Sequence, residues 1–254
     1  MTTAKAITES LAEALGRPYS SVESYGSALR RFGWWQAAKR GRGARPMTSM
    51  EAAKLLLAVM SEGPVDLGGP EGSGFFLRYA NLALVPKMRD DPLVVAIRES
   101  MGLKRSDYFL DYINGLVRLF RDGRATELIY HSPEPEGALD DWVWGGPNVD
   151  IRVSGPFPLA SISFQLSDGF IERMVADGHD EKTLMGGKTL PFVHQLYGWR
   201  ADAAEKAGEE LAGFDQAIDG LREQYDRGVR FQRAIGAREV DAVARSLARE
   251  EPSQ

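Results

Sequence analysis

Apolar residues return at helical spacing along much of the first 60 positions. Ile7, Leu11, Ala14 and Leu15 share one face of a segment that Thr3 can cap and Gly16 can end. Arg17-Pro18 then breaks the chain. Val22, Tyr25, Leu29 and Phe32 follow at 3-4-3 spacing, an amphipathic stripe that Gly33 closes. Trp34-Trp35 reads as a short strand, 39–45 as a basic glycine loop, and Pro46-Met47 as a return segment. A third helix is expected from Thr48, which forms a capping box with Glu51, and it buries Ala53, Leu56, Leu57 and Met60.

Further on, the pattern predicts helices over 93–101 and 106–122. In the second, Phe109, Ile113, Leu116, Val117 and Phe120 share a face between Ser106 and Gly123. Residues 125–131 read as a strand. Val149, Ile151 and Val153 alternate with polar neighbours, as do Ile162, Phe164 and Leu166, which predicts a β-hairpin around Gly155-Pro-Phe-Pro158. A turn into a helix at 190–197 comes next. Ala204, Ala207, Leu211, Phe214, Ile218, Leu221 and Tyr225 step 3-4-3-4-3-4. That seam is either one long core helix or an oligomer contact through Leu211, Phe214, Ile218 and Leu221. A last amphipathic helix carries Val240, Val243, Ala244 and Leu247.

These elements predict an α+β protein. Residues 1–62 form a winged helix-turn-helix module. Residues 63–74, rich in Gly and Pro, link it to a body at 75–254, which combines helices with a small antiparallel sheet. The body includes a possible oligomerising helix at about 198–228.

Composition changes the picture in three ways. With 43% hydrophobic and 26% charged residues in 254, the chain has the make-up of a globular protein and not of a disordered one. The absence of cysteine excludes disulfides, thiolate metal sites and cysteine nucleophiles. The net charge of −5 argues against a nucleic-acid partner only until it is divided. Residues 1–62 hold nine basic and five acidic side chains, a balance of +4 that leaves −9 for the rest. No apolar run approaches the roughly 20 residues of a membrane span, and the expected location is the cytoplasm.

The run Leu11 to Gly33, with Leu-Ala-Glu-Ala-Leu-Gly-Arg-Pro-Tyr-Ser-Ser-Val at its start, resembles the N-terminal module of bacterial prophage-type DNA-binding proteins. So do Arg40-Gly-Arg-Gly-Ala-Arg45 and Met47-Thr-Ser-Met-Glu-Ala-Ala-Lys-Leu-Leu. The resemblance covers about residues 5–62. It is weaker through Val153-Ser-Gly-Pro-Phe-Pro-Leu-Ala and Gly186-Gly-Lys-Thr-Leu. It implies DNA binding.

The residues fit that chemistry on their own terms. With the apolar stripe inward, Tyr19, Ser20, Ser24, Ser27 and Arg31 face outward beside Arg30, where small hydroxyls suit a recognition helix in the major groove. Lys39, Arg40, Arg42 and Arg45 suit a wing that follows phosphates. Glu23 opposes this, although it can accept from cytosine N4. The expected partner is double-stranded DNA, bound as a transcriptional regulator or a phage or prophage DNA-recognition factor. A packaging protein like a terminase small subunit, or a non-enzymatic interaction or phage structural protein, is the alternative.

Catalytic signals are few. Met185-Gly-Gly-Lys-Thr189 lacks the first glycine of a phosphate-binding loop, where Lys182 stands. His131, His179 and His194 have no metal-ligand spacing. Asp140, Asp141 and Asp150 could gather around a divalent ion, but solvated loop acids are the simpler reading. The expectation is no enzyme, no cofactor and no metal.

Overall fold

The computed structural model describes residues 3–36, 46–61, 63–68, 74–84, 89–103, 108–130, 149–155, 159–185, 192–198 and 231–248. The protein is a mixed α and β structure.

Helix α1 (Ala4–Ala14) begins where the Thr3 hydroxyl accepts from the Ala6 N–H, and it buries Ile7 and Leu11 completely. Helix α2 (Tyr19–Arg31) follows after a short turn through Gly16 and starts without a capping side chain at Pro18. It buries Val22, Tyr25, Ala28 and Leu29, whereas Phe32 is only partly covered. Gly33 then takes φ of +79°, a left-handed conformation that a side chain would strain. The Gly33 N–H donates to Arg30 O and the Trp34 N–H to Leu29 O, which folds the chain back over the helix end. Helix α3 (Ser49–Val59) has the expected capping box between Thr48 and Glu51. It is buried nearly all round, which makes it a central helix and not a surface one.

Among the described residues, helices α4 (Phe75–Ala80), α5 (Pro92–Ser100), α6 (Phe109–Arg121) and the single turn α7 (Ala125–Leu128) come next. Strand β1 (Ala83–Leu84) lies between α4 and α5. Strands β2 (Val149–Gly155) and β3 (Leu159–Gln165) form the hairpin expected from their alternation. Helices α8 (Asp168–Ala176) and α9 (Glu181–Met185) come before β4 (Phe192–Gly198), and β5 (Phe231–Gly236) runs directly into α10 (Ala237–Ala248). The sheet is antiparallel in the order β1-β4-β3-β2-β5. Val149, Ile151 and Val153 stand opposite Phe164, Ile162 and Ala160 on its apolar face. Asp150 and Arg152 stand opposite Ser163 and Ser161 on the other, where both serines are also buried.

Three local expectations change. Trp34-Trp35 is a bend, not a strand, because both indoles turn inward. Ala125–Leu128 is a helical turn, with only Ile129 bridging to Leu166. Residues 192–198 form a strand and not a helix, in keeping with the aromatic and β-branched side chains of Phe192, Val193 and Tyr197.

One hydrophobic cluster runs from Ile7 to Leu247. α10 packs on α1, α3 and α6, and α3 packs on α6. Residues 64–67 form a 3-10 turn whose Leu67 is fully buried. The backbones of Gly68 and Gly74 then touch. A Cβ on Gly74 would collide with Leu67 O and fall 2.5 Å from the Gly68 Cα. Gly74→Ala is therefore expected to cost about 1–3 kcal/mol by forcing backbone apart, and a urea melt with an unchanged midpoint would refute that contact.

Candidate nucleic-acid interface

The solvent face of α2 carries most of the described candidate residues. Tyr19 is 40% exposed, Ser20, Ser27 and Arg31 are exposed, and Ser24 and Arg30 are half-buried. They lie on one helix because the opposite face is held in the core by Val22, Tyr25 and Leu29.

Two indoles position that helix. The Trp35 Nε1–H donates to Glu51 O at 2.9 Å, tying the end of α2 to the start of α3. Gly26 leaves room for the Trp35 ring, which a Cβ there would meet at 3.2 Å. The Trp34 Nε1–H donates to Gly68 O at 2.7 Å, and its ring lies 4.4 Å from that of Phe76. Lys54 Nζ donates to Trp34 O at 2.8 Å. Burial pushes the Lys54 pKa down, and the nearby Glu51 carboxylate opposes that shift. Hydrophobic periodicity alone does not predict this clamp. The signal for it was two adjacent tryptophans directly after a helix-ending glycine, where indole N–H groups need partners.

The exposed side chains are partly engaged with one another. Glu23 Oε1 accepts from Arg30 Nη2 at 2.8 Å and from the Ser27 hydroxyl at 2.7 Å. The Arg30 guanidinium also lies 5.8 Å from the Trp35 ring centroid. The Ser24 hydroxyl donates to Ser21 O at 2.6 Å. Arg31 lies over the Phe32 ring at 4.6 Å and stays exposed. The Glu23–Arg30 pair is about one-third exposed on each side. Such a pair contributes only about 0–1 kcal/mol, so a phosphate or base can take its place at little cost.

The structure thus brings Tyr19, Ser20, Ser24, Ser27, Arg30 and Arg31 together on one helix. Lys39, Arg40, Arg42 and Arg45 lie outside the described residues, as do Leu211, Phe214, Ile218, Leu221 and Gly186 to Thr189. Among the described residues no group of His, Asp and Glu is arranged to hold a metal, and Asp150 is ion-paired with Arg152. Asp140, Asp141 and His131 lie outside the described residues. No described helix is long and apolar enough to cross a membrane. No protein-family model, no curated protein and no solved structure matches the chain.

Proposed function

We propose that the chain is a sequence-specific double-stranded DNA-binding protein with an N-terminal winged helix-turn-helix module. In this reading α2 is the recognition helix and 39–45 is the wing. The observation that carries it is the solvent face of α2. Its opening residues Tyr19 and Ser20 are exposed after a short turn from α1, and Arg31 stays exposed at its far end. Hydroxyls at the helix start allow close approach to base edges. The basic segment that follows in sequence supplies phosphate contacts. Such a protein acts as a transcriptional regulator, as a phage or prophage DNA-recognition factor, or in packaging like a terminase small subunit.

The test is selection of bound sequences from a random duplex library at ~0.15 M salt, where non-specific attraction is partly screened. An enriched motif supports the reading, and no enrichment overturns it. Within that reading, replacing Arg40, Arg42 and Arg45 together by Ala is expected to weaken duplex binding more than tenfold. It also flattens the slope of log K against log salt by roughly 2–3. A mobility-shift titration with unchanged affinity and slope removes the wing assignment.

A second reading rests on the Glu23–Ser27–Arg30 network, which engages three side chains of the polar face with one another. Under it the helix face docks a protein. It predicts no enriched duplex and no salt dependence traceable to the wing arginines.

A further inference from the structure

One carboxylate on the outward side of α2 is held in place by its own helix. Glu23 Oε1 accepts from the Ser27 hydroxyl at 2.7 Å and from Arg30 Nη2 at 2.8 Å, and Arg30 Nη2 also donates to the Ser27 oxygen at 3.0 Å. Both donors therefore meet at one carboxylate oxygen. The other, Oε2, makes no hydrogen bond among the described residues. The Arg30 guanidinium is fixed in turn by the Trp35 ring beneath it, and Gly26 leaves room for both. Ser20 lies one turn before Glu23 and Ser27 one turn after it, so the unused oxygen stands among the hydroxyls of the polar face.

A carboxylate only accepts hydrogen bonds. On the major-groove edge, guanine N7 and O6 and thymine O4 are acceptors and repel it, whereas cytosine N4 and adenine N6 are donors. Adenine sets the N7 acceptor beside its amine, a pattern that an amide matches and a carboxylate does not. Cytosine is the base that suits Glu23. The charge of a lone carboxylate would oppose the phosphates of any duplex. Arg30 offsets that charge where it arises, without using Oε2.

We propose, resting on the reading of α2 as a recognition helix, that Glu23 is a specificity-determining residue that selects one cytosine in the bound duplex. Oε2 accepts from the cytosine N4 amine. Arg30 and Ser27 are positioning residues that hold Oε1, and Arg30 also screens the carboxylate from the phosphates.

The test selects bound sequences from a random duplex library with the unaltered full chain and with Glu23→Gln. The unaltered chain is expected to enrich a motif with a fixed C·G pair. Glu23→Gln moves the preference at that one position to adenine and leaves the other positions as they were. Replacing that cytosine weakens binding of the unaltered chain by about tenfold or more and that of Glu23→Gln far less. Arg30→Gln lowers affinity for every duplex, and lowers it less when Glu23→Gln is also present. An identical motif from both proteins overturns the proposal and leaves α2 as the recognition helix. No enriched motif from the unaltered chain overturns that reading itself. An equal loss from Arg30→Gln in both backgrounds makes Arg30 a direct phosphate contact and overturns its positioning role. Glu23 and Arg30 are each about one-third exposed, so the variants keep the fold, which circular dichroism checks.

Discussion

Deleting residues 237–254 is expected to unfold α1, α2 and α3, although they lie at the opposite end of the sequence. Helix α10 covers α1, α3 and α6, with Val240, Val243 and Ala244 fully buried and Leu247 nearly so. The Ser246 hydroxyl is bonded to the Ser10 hydroxyl across that contact. Each large apolar side chain lost forfeits about 1.5–3 kcal/mol of burial. A domain of ordinary stability has only about 5–15 kcal/mol in all. The surface left behind on α1 and α3 would be apolar, which adds an aggregation hazard. Val243→Asp should act in the same direction by placing an unpaired charge in the core. Amide hydrogen exchange provides the measurement: α1 and α3 should lose protection in the truncated chain. Retained protection there would show that the first three helices fold without α10. A fragment of residues 1–62 is accordingly a poor reagent for DNA-binding assays, and the full chain is the one to use.

Trp35→Ala is expected to cost about 3–5 kcal/mol, the range for removing a large buried aromatic side chain. The ring is 3% exposed, lies against Gly26, and holds α3 through the Glu51 carbonyl. Trp35→Phe keeps most of the packing but leaves that carbonyl without its indole donor, a loss of roughly 1–3 kcal/mol. Urea denaturation of the two variants separates packing from the hydrogen bond. Equal losses in both would mean that the bond dominates, and no loss in Trp35→Ala would move the ring out of the core. If α2 reads DNA, Trp35→Phe should also weaken duplex binding in the cold, where the variant is still folded, because the helix is then less firmly oriented.

Where period and capping agreed, the sequence was legible. Thr3, Thr48 with Glu51, and Gly33 mark helix ends that the structure places as expected. The alternation of Val149, Ile151 and Val153 against Ile162, Phe164 and Leu166 announced the β2–β3 pair. Failures came where a short segment had two readings. Ala125–Leu128 is too short for a period, and Phe192–Gly198 follows a turn that suggests a helix although its own side chains favour a strand. Trp34 and Trp35 look like strand residues by propensity, but the helix-ending bonds to the Leu29 carbonyl turn them inward. The outward face of α2 was readable from its 3-4-3 stripe. The internal pairing of Glu23, Ser27 and Arg30 was not, because rotamers and not spacing decide which neighbours bond.

The contact between Gly68 and Gly74 has a practical consequence. Residues 68 and 74 meet at one point of the fold, so any peptide inserted between them begins and ends where the fold already holds it. Lengthening such a closed segment costs only about 0.6 kcal/mol per doubling. A short epitope or a fluorophore-accepting tag placed there should leave the core of the molecule intact. It gives a handle for immobilising the protein with α2 left unmodified.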